Sequence, residues 1–256
     1  MSKYGYITKY VSHEFFNATK SGQLIFSTLS ALRSYEGTDE KRLTDKAEGI
    51  SVLDVPCDIH NQSFTLAGMG VSNVTVIGNP NHNQTAFRVE NVIDAYVFCS
   101  SIGIHDNVHH QTMKDENESL THYIVFDLEV FIGACHRFCK GLGSDGILVM
   151  SQVDYSTRDK ILPPENLSMN DPFLNKKFKG DVINKMLFHK PKDFEYENEH
   201  RIVILPKKPF GGKEFSPLFT RNFPHNIAHL FSQAVVSSGE LNGYFPKTIT
   251  VTKTAT

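Results

Sequence analysis

The sequence predicts a single α+β domain with a mostly antiparallel sheet and flanking helices. Three observations predict it. Short β-rich segments with turn signals between them fill the first hundred residues. Ala95–Ser100, Tyr123–Asp127 and Arg201–Leu205 are nearly continuous apolar runs of buried-strand length. Residues 128–140 and 173–188 instead carry apolar side chains at helical spacing. No linker-like stretch divides the 256 residues, so residues 1–256 count as one globular domain, with 247–256 as an edge strand or frayed tail.

Taken in order, Tyr4–Val11 is β-rich and reads as the first strand. Ser12 is placed to cap a helix over His13–Lys20, with Glu14 in its first turn, and Ser21-Gly22 stops it. Leu24–Phe26 is a second buried strand, and residues 29–49 read as a helix followed by a long loop. Ser51–Val55, Ser63–Ala67, Val71–Gly78 and Ala86–Val89 read as antiparallel strands separated by Gly68, Gly70 and Gly78-Asn79-Pro80-Asn81. Gly141 ends the 128–140 helix, β pairing resumes at 146–150 and 153–155, and Pro206 and Pro209 close the last strong strand.

Composition narrows the function classes. The chain is 40% hydrophobic, too apolar for disorder, and its formal net charge of −2 argues against an overall electrostatic grip on nucleic acid or anionic lipid. Four cysteines are too few for a disulfide scaffold and suit reduced thiols. The polar start Met1–Tyr6 has no apolar leader core, and Ile59–Phe87, although free of charge, is too polar to span a membrane. A cytoplasmic protein without membrane contact is expected.

Charge collects in two places. Residues 33–49 hold Arg33, Glu36, Asp39, Glu40, Lys41, Arg42, Asp45, Lys46 and Glu48; residues 190–201 hold Lys190, Lys192, Asp193, Glu195, Glu197, Glu199 and Arg201. Both segments are also what a solvated surface would look like. As a strand, the second would place Glu195, Glu197, Glu199 and Arg201 on one face and Tyr196, Asn198 and His200 on the other. Adjacent carboxylates repel unless a cation relieves them, and this ladder runs straight into the apolar Ile202–Leu205. Arg33 and Arg42 are candidate partners for a carboxylate or phosphate.

The element Gly22-Gln23-Leu24-Ile25-Phe26-Ser27, preceded by Lys9-Tyr10, resembles the start of a large bacterial family of unknown function. Lys190-Pro191 and Tyr196-Glu197-Asn198-Glu199-His200-Arg201 resemble its closing signature. The likeness spans roughly residues 4–205, and the chain lacks the tryptophans that many members carry. Glu197–Pro206 and Phe26-Ser27-Thr28-Leu29-Ser30 are also similar to elements of ADP-ribosyltransferases. That second resemblance implies a split sheet, NAD as substrate, and Glu197 and Glu199 as catalytic residues. One of the two would hold the nicotinamide ribose hydroxyl and stabilise an oxocarbenium-like transition state. It further implies Arg33 at the pyrophosphate, with Arg42, Ser27, Tyr35 and Glu48 completing the NAD site. A protein or nucleic-acid acceptor, and a role as a toxin or phage-defence effector, fit such an enzyme.

Other chemistries compete. Asp45, Glu48, Glu197 and Glu199 with Lys46 or Lys190 would suit a metal-dependent nuclease. A non-catalytic interaction or sensor domain would use the same charges as a buried network, such as Arg33–Glu48 or Arg42–Glu36. His105 and His109 have the spacing of a helical metal pair, but Gly103, Asp106 and Asn107 favour a loop. His136 between Cys135 and Cys139 forms no recognised zinc motif, so no structural metal is expected. Cys99 with His122 is a candidate nucleophilic pair, set against an inert buried thiol. No phosphate-binding glycine loop of either common type occurs.

Overall fold

The computed structural model describes residues 5–34, 49–57, 71–78, 85–141, 147–156, 172–206, 216–222 and 226–241. The strands are β1 (Tyr6–Val11), β2 (Ile25–Thr28), β3 (Ile50–Cys57), β4 (Val71–Gly78), β5 (Thr85–Val92), β6 (Tyr96–Ile102), β7 (His122–Asp127), β8 (Ile147–Gln152), β9 (Asp154–Tyr155), β10 (His189–Lys190), β11 (Glu199–Leu205), β12 (Leu218–Phe219) and β13 (Val235–Glu240). The helices are α1 (His13–Lys20), α2 (Leu29–Ser34), α3 (Asn107–Glu116), α4 (Leu128–Gly141), α5 (Pro172–Phe188) and α6 (Asn226–Ser232). The architecture is α+β, dominated by an eight-stranded sheet in which every pairing is antiparallel. A separate antiparallel sheet has the order β3-β5-β4, and β9 and β10 form a short parallel pair.

The main sheet forks at β6. One edge of β6 pairs with β11 from Ser101↔Glu199 to Tyr96↔Ile204. The other edge is shared. β1 holds it only at Ile7↔Ile102 and Thr8↔Ser101, while β2 holds it at Ser27↔Val97 and Thr28↔Tyr96. Beyond Thr8, β1 continues beside β7 instead, up to Val11↔His122. The sheet is thus split beside Phe98–Ser100, and Lys9 Nζ reaches into the split to donate to Cys99 O at 2.7 Å.

Alternation along the strands loads the two faces differently. Ile7, Tyr96, Phe98, Ile124, Phe126, Ile202 and Ile204 meet Phe131, Ala134, Cys135 and Phe138 of α4 and Phe231 of α6. The rings of Phe26, Phe98, Phe126, Phe131, Phe138 and Phe231 pack with centroids 4.8–6.2 Å apart. On the other face Val97 and Val203 pack with Leu29 of α2 and Leu187 and Phe188 of α5. This second core is smaller, and Glu199 and Arg201 of β11 continue its side of the strand.

Several expectations change. Ser12 has the extended backbone of a helix cap, but its hydroxyl makes no capping bond and lies buried without a partner among the described residues. Residues 105–110 are not simply a loop: Asp106 accepts from the His109 N–H at 2.9 Å and so starts α3. The Glu195–Arg201 ladder is not one strand. Pro191 opens a 3-10 turn over Lys192–Glu197, Glu195 is exposed, and β11 begins at Glu199. No helix among the described residues is long and apolar enough to cross a membrane. The expected strand at 63–67, the tail at 247–256, and Tyr35, Arg42, Asp45, Lys46 and Glu48 lie outside the described residues.

Candidate functional site

A cavity of about 340 Å³ opens at the split in the sheet, lined from β1, β2, β6, α3 and the Lys190–Glu199 segment. Its centre of charge is built locally. Asn198 sits in the left-handed region (φ 44°, ψ 47°), a conformation Asn tolerates better than most residues. That kink between the 3-10 turn and β11 turns Glu197 and Glu199 toward one cation. Lys190 Nζ, placed by the pairing of β10 with Tyr155 of β9, lies 2.6 Å from Glu197 Oε2 and 2.8 Å from Glu199 Oε2.

Arg201 completes the cluster from beneath. It is fully buried; Nε donates to Glu199 Oε1 at 2.8 Å and Nη2 to Oε2 at 3.3 Å, a two-pronged grip. Its Nη1 donates to Leu187 O at 2.7 Å, in the last turn of α5, where a cation also suits the helix dipole. The Glu199 backbone N–H donates to Tyr155 Oη at 2.7 Å, and Ser101 Oγ donates to Glu197 O at 2.8 Å. Glu197, Glu199 and Lys190 are each at least nine-tenths buried.

The two carboxylates titrate in opposite directions. Burial raises Glu197 to about 7, with Lys190 pulling it down and the neighbouring charge of Glu199 adding to the rise. Burial works to raise Glu199 too, but the charges of Arg201 and Lys190 hold it well below the usual carboxylate range. Cys99, half-buried on the same wall, has its thiol pushed up first by burial and then by Glu199, which keeps it protonated and a poor nucleophile. Its expected partner His122 is on β7, with β1 between, and packs instead on Phe16 and His13. The structure does not assemble that pair.

Histidines back the opposite wall. His105, His109 and His110 surround Tyr10, with ring centroids 6.2, 5.4 and 4.6 Å away, and His105 stacks flat on Tyr123 at 3.5 Å. His109 Nε2 lies 3.2 Å from Ser101 Oγ. Burial lowers all three imidazoles, His110 to about 4, so they hold α3 against β1 in the neutral form. Among the described residues no group of three or more His, Cys, Asp or Glu is placed to hold a metal. Cys135 and Cys139 point into the core, while His136 is exposed.

Of the expected site residues, the structure brings Ser27, Glu197 and Glu199 to the cavity. Arg33 does not line it; its Nη1 packs against the Gly49 turn, where a Cβ would come within 2.9 Å. Lys9, Tyr10, Ser101 and Asn117 also line the cavity, and sequence reasoning did not select them as site residues. The Lys9-Tyr10 pair at the end of the first strand was the available signal for the first two. No family model matches this chain, and neither curated proteins nor solved structures yield a match to it.

Proposed function

We propose that this chain is a cytoplasmic NAD-consuming glycosyl transferase or glycohydrolase, with its reaction centre at Glu197 and Glu199. The observation that carries the reading is the carboxylate pair itself. Two neighbouring glutamates on one cavity wall share Lys190, one locked ionised by Arg201 and the other titrating near neutrality. Environments that push paired carboxylates apart give one fixed charge and one proton carrier. The split sheet and the resemblance to ADP-ribosyltransferases support the same reading.

Cleavage of the nicotinamide–ribose bond suits that pair. The C1′–N bond breaks with its electrons going to the pyridinium nitrogen, so nicotinamide leaves neutral and needs no acid. Positive charge grows on the ribose, where ionised Glu199 offsets it in a water-poor site. The attacking hydroxyl, from water or from a protein or nucleic-acid acceptor, bonds C1′ and passes its proton to Glu197. Toxin or phage-defence use fits this chemistry.

The test is nicotinamide release from NAD by the purified chain. Glu199→Gln should lower it by about 100-fold or more. Glu197→Gln, which copies the neutral carboxyl and keeps a hydrogen-bonding shape, should lower turnover while leaving the fold intact. A wild-type chain that releases no nicotinamide overturns the reading. One observation favours a rival: fully buried Arg201 has Nε, Nη1 and Nη2 all committed, as in a structural charge network. That rival predicts that no NAD turnover exists to lose.

A further inference from the structure

The cavity has two chemically opposite walls. On one, Glu197, Glu199 and Lys190 are bonded to one another. On the other, the unused hydrogen-bonding capacity among the described residues includes a cation and neutral donors. Lys9 Nζ gives one N–H to Cys99 O and is paired with no described carboxylate, so two ammonium hydrogens are left over. Asn117 Oδ1 accepts from the Ser119 backbone N–H at 3.0 Å and from its hydroxyl at 2.7 Å. A backbone N–H can only donate, which fixes the amide orientation and leaves both hydrogens of Nδ2 unused. Ser27 adds a hydroxyl with no partner among the described residues. The neighbouring Ser100 and Ser101 differ, since they spend their protons on the carbonyls of His200 and Glu197 at 3.1 and 2.8 Å.

A cation and neutral donors gathered in one part of the cavity, apart from its carboxylates, suit an oxyanion. At about 340 Å³ the cavity is near the small end of the ~300–1,000 Å³ range of ligand pockets, which suits one nucleotide-sized half of a dinucleotide. We infer that Lys9, with Ser27 and Asn117, seats a phosphate attached to a ribose, so that the ribose ring lies between this wall and the carboxylates and the substrate class is the phosphorylated riboside. This inference rests on the NAD reading and moves the phosphate-binding role from Arg33, which packs at Gly49, to Lys9.

Binding of ribose 5-phosphate, ribose and inorganic phosphate to the full chain, followed by calorimetry or NMR titration, tests it. Ribose 5-phosphate should bind at least about tenfold tighter than either fragment. Lys9→Met and Asn117→Asp should each weaken it by about tenfold, whereas Lys9→Arg should stay within about threefold of wild type. Asn117→Asp keeps the acceptor for Ser119 but turns the free donor into a charged acceptor that repels a phosphate, so unchanged binding by this variant also overturns the inference if Lys9→Met does not fold. Equal affinity for ribose, or for inorganic phosphate, overturns the inference, as does a Lys9→Met protein that binds like wild type. The two readings fail separately. Phosphate-dependent binding through Lys9 without nicotinamide release from NAD sinks the NAD reading alone; NAD turnover indifferent to Lys9→Met and Asn117→Asp sinks this one alone.

Discussion

The two faces of the main sheet are held by opposite means. Against α4 and α6 the contact is a phenylalanine-rich core, and its energy scales with the apolar area removed from water. Against α5 the strand β11 buries Glu199 and Arg201 beside a much smaller apolar cluster, with Lys190 and Glu197 completing four charges. Desolvating such ions commonly offsets what their attraction returns, so a network of this kind is a poor way to gain stability. The Phe face explains why the chain folds, and the charged face is where the fold accepts a cost that a functional site would justify.

The comparison breaks most visibly at Arg201. Arg201→Met leaves Glu199 buried without its main partner and should cost about 3–5 kcal/mol, measured by denaturant unfolding. Phe131→Ala should cost a similar ~3–5 kcal/mol by opening a cavity, but with no dependence on pH. The Arg201→Met loss should instead shrink at acid pH, where Glu199 can be protonated. Equal losses at all pH values would show that Arg201 matters for packing alone.

A smaller effect is expected at the kink. Asn198→Val forces a β-branched residue into the left-handed region and should cost about 1–2 kcal/mol, while Asn198→Gly should be nearly neutral. If the kink aligns the carboxylates, the valine variant should also lose nicotinamide release beyond its loss of stability. Unchanged turnover per folded molecule would detach the kink from the site.

A last effect sharpens the contrast through pH. Glu197 has a folded value near 7, above its ordinary 4.5, so the folded state holds its proton more tightly than the unfolded chain. Stability should therefore fall as pH rises from about 4.5 to 7 on account of this group. Glu197→Gln removes that slope, so the variant should gain on wild type as pH rises from about 4.5 to 7 and keep that gain above it. His110 acts in the opposite sense over the same window. Its value near 4 against an ordinary 6.5 means its contribution is complete above 6.5 and fades as pH falls toward 4. Melting curves of Glu197→Gln and wild type at pH 5 and 8 check the difference; parallel shifts would remove Glu197 from the titrating pair.

Most strands and the longer helices were legible because a single period controls them. Tyr96–Ser100 and Ile202–Leu205 alternate between two buried faces, and Leu128–Cys139 repeats at helical spacing, so the local pattern suffices. α3 was misjudged because Asp106-Asn107 is both a turn signal and a helix cap, and only the His109 N–H decides between them. The 195–201 ladder failed because alternation was counted through Asn198, whose left-handed backbone resets the faces.

By itself the sequence determined an α+β chain with an antiparallel sheet and an acidic segment feeding its last strong strand. It also marked Glu197 and Glu199, since charge before an apolar run is a local property. Tertiary structure alone decided that Lys190 joins both glutamates, that Ser27 shares their cavity and Arg33 does not, and that Lys9 and Asn117 line it too. The physical reason lies in the fork at β6. Where β1 leaves β6 and β2 replaces it is set by pairings between residues some seventy to ninety-five apart, and no local pattern records where two strands part.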